Sequence, residues 1–159
     1  MSNTYDYIVV GAGTAGCVVA NVLSSKPGNK VLLIESGRQP RDIMITMPAG
    51  FPFVSSSAKY NWGYQSEPEP GLDGRRLSVL RGRLLGGSSA INAMAFVRGH
   101  PLDYEDWAQL AGGAWSWQSC LEAFKAIETF TGGSSELRGS DGPLPVQEPR
   151  YSNPLYEIY

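Results

Sequence analysis

Two short stretches hold residues whose types and spacing suit chemistry. The first is Gly11-Ala12-Gly13-Thr14-Ala15-Gly16, with an acid, Glu35, placed beyond it. The three glycines have separate tasks in such a turn. Gly11 permits a tight exit from a strand, Gly13 lets backbone approach a pyrophosphate, and Gly16 lets a helix pack close to a sheet. A helix that begins here turns its unpaired N–H groups and the positive end of its dipole toward phosphates. An acid about twenty residues further on accepts hydrogen bonds from adenosine ribose hydroxyls, and its charge repels a 2′-phosphate, which argues against NADP. The pattern indicates a dinucleotide site. By itself it does not separate FAD from NAD.

The second stretch, residues 81–100, reads RGRLLGGSSAINAMAFVRGH. Two arginines lead into Gly86-Gly87-Ser88-Ser89, and a run of small and apolar residues follows that holds Asn92. The turn residues argue for a loop and the apolar run argues for burial. A plain buried loop would leave its N–H groups without partners, at about 1–3 kcal/mol each. A flat, polar ligand would remove that difficulty. Arg75, Arg76, Arg81 and Arg83 crowd the approach to this stretch. Such a run forms a solvated face or a set of ion pairs, and near a dinucleotide it also offsets pyrophosphate charge.

The remaining chemistry-bearing residues point elsewhere. His100 is the one histidine and reads as a structural or hydrogen-bonding residue. Cys17 and Cys120 fall in no metal-ligand spacing and read as two reduced, buried thiols. No metal site is expected.

The elements that must position the first stretch are legible around it. Residues 7–10 are a β-branched apolar run, which predicts a strand. A helical pattern follows with Val19, Ala20 and Leu23 on one face, closed by Lys26-Pro27-Gly28. A second strand is predicted over residues 31–34, ending at Glu35. Residues 44–54 carry Pro48 and Pro52 and predict neither a regular strand nor a long helix. The aromatic residues 60–64 read as a short strand, a lid, or a satellite cluster beneath a loop. Two core-packing helices are predicted downstream. One starts near Pro101 with Tyr104, Trp107 and Ala111 on a face and ends at Gly112-Gly113. The other starts near Trp117 with Cys120, Leu121, Phe124 and Ile127 and stops at Gly132-Gly133. Residues 142–146 open an extended strand.

The chain as a whole sets outer bounds. Its 159 residues suffice for one domain with a core, and 19 glycines and 11 prolines imply many turns and long connections. A net charge of −2 argues against a nucleic-acid partner. The start, MSNTYDY, lacks a basic and apolar leader pattern, and no stretch approaches the roughly twenty apolar residues of a membrane span. The expected location is the cytoplasm, with peripheral attachment at the inner membrane face as a variant of it. No internal repeat is visible.

Taken together, the glycine unit and Gly82-Arg83-Leu84-Leu85-Gly86-Gly87-Ser88-Ser89-Ala90-Ile91-Asn92 resemble the glucose–methanol–choline (GMC) oxidoreductases. The resemblance continues through Ala93-Met94-Ala95-Phe96-Val97-Arg98-Gly99-His100 and Asp103-Tyr104-Glu105-Asp106-Trp107 and covers essentially the whole chain. Within that family the wording is most similar to the bacterial choline and primary-alcohol dehydrogenase branch. The resemblance implies an α/β fold: a Rossmann-like FAD-binding βαβ unit with following helices and long cofactor-covering loops, incomplete beside the full GMC fold. Residues 1–142 would be the N-terminal portion of the FAD-binding domain, and 143–159 the start of the substrate-domain region.

The resemblance also implies roles. FAD would lie extended, its ADP half held by Gly11, Ala12, Gly13, Thr14, Ala15, Gly16, Glu35 and Ser36. Arg83, Leu84, Gly86, Gly87, Ser88, Asn92, Ala93, Met94 and Ala95 would line the flavin, ribityl and pyrophosphate part. Members that bind FAD covalently use a histidine where this chain has Val79, so non-covalent FAD is expected. Such enzymes move a hydride from a small alcohol to the flavin and then pass electrons to a quinone or to oxygen. No catalytic residue is assigned here, since the family's basic histidine belongs to a C-terminal part of the same enzyme that this sequence lacks. Two other readings stay open: a stand-alone nucleotide-binding fragment, and a non-redox relative such as a hydroxynitrile lyase.

Overall fold

The structure is a computed structural model that describes residues 4–148. The β-branched run Tyr7–Val10 forms strand β1, and Val31–Ile34 forms β2 beside it. They pair in parallel, with Tyr7 opposite Val31 and Val10 opposite Ile34. A parallel pair needs a crossover of a dozen or more residues, which helix α1 (Thr14–Ser24) supplies. Gly11 N–H extends the ladder by donating to the Ile34 carbonyl at 2.8 Å. The predicted strand–turn–helix–strand order is the observed one.

The packing of α1 differs from expectation. Of its predicted apolar face, Ala20 and Leu23 are half-buried but Val19 is exposed, as are Val18 and Val22. The reason is the width of the sheet. Two strands are all that the described residues bring to it, so the helix has a narrow surface to lean on.

The packing core of residues 4–95 lies further along the chain. Val54, Tyr60, Leu84 and Ile91 cluster there, with Met44, Ile45 and Ala90 against them. Short helices α2 (Ile43–Thr46) and α3 (Phe51–Val54) supply part of it. Pro48 and Pro52 sit in first helical turns, where a missing N–H costs nothing. Asp42 caps α2, accepting from Met44 N–H at 3.1 Å, and its other oxygen accepts from the Tyr60 hydroxyl at 2.8 Å and Lys59 Nζ at 3.3 Å. The Met44 N–H, then Tyr60 and Lys59, hold this carboxyl below its usual range.

The aromatic stretch 60–64 divides between the alternatives. Tyr60 belongs to the core, whereas Trp62 and Tyr64 stack in parallel at 5.9 Å on an exposed ribbon. Strand β3 (Tyr64–Gln65) pairs there antiparallel with β4 (Ser78–Val79).

Residues 96–148 pack as a second unit. His100 caps α4 (Pro101–Ala111): Leu102 N–H donates to its Nδ1 at 3.2 Å, and Asp103 accepts from the His100 N–H at 3.0 Å. The histidine therefore has the hydrogen-bonding role expected of it. Tyr104 packs against Trp107, Trp117 and Phe124 and ties α4 to α5 (Trp117–Ile127). Helix α5 ends five residues before the glycines predicted to stop it. Residues Glu128–Phe130 form β5 instead, paired in parallel with β6 (Leu144–Val146). This pairing, supported by Thr129 Oγ1 donating to the Gly142 carbonyl, outweighs the local helical preference.

By packing, the chain divides at Ala95/Phe96. Residues 149–159, most of the expected substrate-domain start, lie outside the described residues. Both cysteines are free thiols, half-buried where burial was expected.

Candidate functional site

The glycine turn has the shape its residue types call for. Gly11 is left-handed at φ +92°, and a Cβ on Gly16 would collide with the Gly11 carbonyl. Gly13 differs from Gly16, because a Cβ built there, as at Gly11, meets no protein atom within 4 Å. The turn thus packs tightly where the helix meets the strand and is open where a ligand would approach. The first N–H groups of α1 are the ones an α-helix cannot satisfy internally.

The second stretch lies directly on this turn. Gly86 N–H donates to the Ala12 carbonyl at 2.7 Å. Gly87 is left-handed at φ +56°, and its missing Cβ would stand 2.8 Å from Gly13 Cα. Leu85 N–H donates to the Arg38 carbonyl at 3.0 Å, and Ser88 Oγ accepts from Gly82 N–H at 3.0 Å. Residues far apart in sequence thereby form one continuous surface.

Glu35 binds on the inner side of that surface. Its Oε2 accepts from Ala12 N–H at 2.8 Å and its Oε1 from Gly37 N–H at 2.7 Å. Ser36 Oγ lies 3.5 Å from Oε1 and is exposed. Gly37 in turn abuts the backbone of Arg83 and Leu84, where a Cβ would collide.

The predicted site residues fall into three places. Gly11, Gly13, Thr14, Ala15, Gly16, Glu35, Ser36, Gly86, Gly87 and Ser88 gather around the turn, and Arg83 adjoins them only by its backbone, beside Gly37. Ala12 and Leu84 gather there too, but neither exposes any surface, so both hold the turn from beneath. Asn92, Ala93, Met94 and Ala95 follow the buried Ile91 and are all exposed. Among the described residues none of these four is hydrogen-bonded to the glycine turn. Asn92 Oδ1 accepts from Met94 N–H at 2.9 Å and supports the left-handed backbone of Met94, φ +58°. That bond uses the carbonyl oxygen and leaves the side-chain NH2 to donate elsewhere.

Of the four arginines, three serve their own ribbon. Arg75 bonds the Leu72 carbonyl, Arg76 pairs with Glu67 and Arg81 bonds the Leu80 carbonyl. Arg83 instead rests 5.4 Å from the Trp62 ring. Sequence reasoning missed the Glu35–Ala12 bond and the approach of Gly37 to Arg83. A glycine two places after the acid was the available signal for the latter. It also missed a cluster in the second unit, in which Arg98 and Arg138 pair with the fully buried Glu128. Among the described residues no His, Cys, Asp and Glu group is arranged to hold a metal, and no helix is long and apolar enough to cross a membrane.

Comparison with known proteins accords with this geometry. The sequence profile of the family described as GMC oxidoreductase matches residues 5–159. The oxygen-dependent choline dehydrogenase of Photobacterium profundum is 45% identical over 161 aligned residues, which take in 100% of this chain and 28% of that protein. Its counterpart from Staphylococcus xylosus is 41% identical, over 100% of this chain and 29% of its own length. Among solved structures, pyridoxine 4-oxidase from Mesorbium loti superposes with a TM-score of 0.83 at 41% identity, over 89% of this chain and 28% of that one. Formate oxidase of Aspergillus oryzae gives 0.82 at 30% identity, over 97% and 28%. The chain thus spans a little over a quarter of the length of the relatives it matches.

Proposed function

Because the chain belongs to the GMC oxidoreductase family, we propose that it is the FAD-holding part of an enzyme that oxidises a primary alcohol such as choline or an alkanol. The observation that carries this reading is the junction of the two stretches, Gly86 N–H on the Ala12 carbonyl with Gly87 against Gly13. The space over Gly13, where an added Cβ would meet no protein atom, leaves room for a ligand beside the start of α1. An extended cofactor with a pyrophosphate at its middle fits that arrangement, as does the exposed run at residues 92–95.

In this reading the N–H groups of Gly13, Thr14 and Ala15 at the start of α1 bind the pyrophosphate. Glu35 and Ser36 face the adenosine ribose, Ser88 adds a hydroxyl, and Asn92 offers its side-chain NH2 along the flavin side with Ala93, Met94 and Ala95. Half-buried Val79 stands where a covalent link would need a histidine, so the cofactor is held non-covalently. The chemistry that bound flavin supplies is acceptance of a hydride from the alcohol carbon. The hydroxyl proton must leave with it, which needs a base within hydrogen-bond reach. No residue of this chain is given that role, and the base is assigned to the rest of the longer enzyme. A quinone or oxygen takes the electrons onward, and the enzyme works in the cytoplasm or at the inner membrane face.

Anaerobic mixing of the intact gene product with choline and a series of primary alkanols tests the reading. At least one alcohol is expected to bleach the flavin absorbance. A flavin that is bound yet bleached by none of them would contradict it and favour non-redox chemistry.

A further inference from the structure

Glu35 has more to do than meet a ribose. Each of its two oxygens holds a backbone N–H, one on either side of the junction: Ala12 in the glycine turn at 2.8 Å and Gly37 at 2.7 Å. The two donors belong to segments that the second stretch also grips, Ala12 through Gly86 and Gly37 through the backbone of Arg83 and Leu84. Ala12 exposes no surface, so its N–H has no water to turn to if the carboxylate is lost. Hydrogen bonds to an ionised acceptor are about twice as strong as neutral ones.

We infer that Glu35 is a positioning residue that latches the phosphate-binding turn in its working shape before any cofactor arrives. The inference rests on the proposed reading of this turn as a dinucleotide site, and adds a second role for the acid. The two roles are compatible, because each carboxylate oxygen has two lone pairs and one backbone N–H uses only one of them. Preorganisation of this kind lowers the ordering cost that a ligand must otherwise meet on binding. A residue that acted only on the ribose would do nothing in the absence of cofactor. The latch acts there first.

Backbone hydrogen exchange in the flavin-free intact gene product separates these roles. In the wild type the Ala12 and Gly37 amides are expected to exchange at least about tenfold more slowly than those of Thr14 and Ala15, at the open start of α1. In Glu35→Gln an NH2 replaces one acceptor, and exchange over residues 11–14 and 36–38 is expected to rise about tenfold while α4 and α5 are unchanged. Unprotected Ala12 and Gly37 amides in the wild type would overturn the latch without need of any variant. So would a Glu35→Gln protein with unaltered flavin-free exchange and a defect only in flavin affinity. A wild type that binds no flavin would count against the proposed function, and the exchange rates would still decide the latch.

Discussion

Replacing Glu128 with alanine is expected to cost about 3–5 kcal/mol, a large share of the 5–15 kcal/mol that holds a typical domain together. Glu128 is fully buried. Its Oε2 accepts from Arg98 Nη2 at 2.6 Å and from Gly139 N–H at 3.0 Å, and its Oε1 lies 2.6 Å from Arg138 Nη2. Arg98 also donates to the Leu137 carbonyl. The two guanidinium groups rest on Phe124 and Phe130 at 5.3 and 4.1 Å. Removal of the carboxylate would leave two partly buried positive charges facing each other with nothing between them. Repulsion and lost pairing then act in the same direction, which a simple cavity would not do.

Urea denaturation of the intact gene product followed by tryptophan fluorescence measures this, since Trp107, Trp115 and Trp117 all lie in the second unit. A loss under about 1 kcal/mol, the range of solvent-exposed pairs, would contradict the account. Replacing the three side chains together, Arg98→Met, Glu128→Leu and Arg138→Met, should recover most of the loss. Packed apolar groups of similar volume can match a buried ion cluster.

The second large effect concerns the junction of the two stretches. Gly87→Val is expected to abolish flavin retention. The left-handed backbone costs a side chain about 1–2 kcal/mol, and the new Cβ would also stand 2.8 Å from Gly13 Cα. Residue 87 and Gly13 would then be forced apart. Gly13→Ala is the informative companion, because its Cβ meets no protein atom. It should leave the melting temperature of the flavin-free protein within a few degrees of wild type, yet weaken FAD binding about tenfold or more by filling space assigned to the pyrophosphate. The check is flavin content after purification, together with thermal melts of the flavin-free proteins. A Gly87→Val protein that keeps its flavin would show that the two stretches do not act as one surface.

What was legible in the sequence was mostly local. The strand, turn and helix at residues 7–24 follow from a β-branched run, three spaced glycines and an apolar helical period, all within one short window. Helix α4 announces itself through Pro101 at its start and Gly112-Gly113 at its end. The end of α5 departs from its sequence pattern for a physical reason. Gly132 and Gly133 look like a helix stop, but Thr129 and Phe130 suit a strand, and a partner at residues 144–146 decides the matter from outside the window. The Glu128 cluster was illegible for the same reason, as its arginines stand thirty and ten positions away. At the site, residue types located the two stretches but not their contact. The spacing of Glu35 indicates a ribose acceptor. That its carboxylate also binds Ala12 and Gly37 depends on how the turn and β2 come together.

The most direct test of the central claim, that these two stretches form a non-covalent FAD cradle, is flavin analysis of the intact gene product. Acid precipitation followed by chromatography of the supernatant is predicted to release about one FAD per polypeptide, with none left on the pellet. A protein that carries no flavin, carries FMN, or keeps its flavin on the precipitated chain would contradict the account.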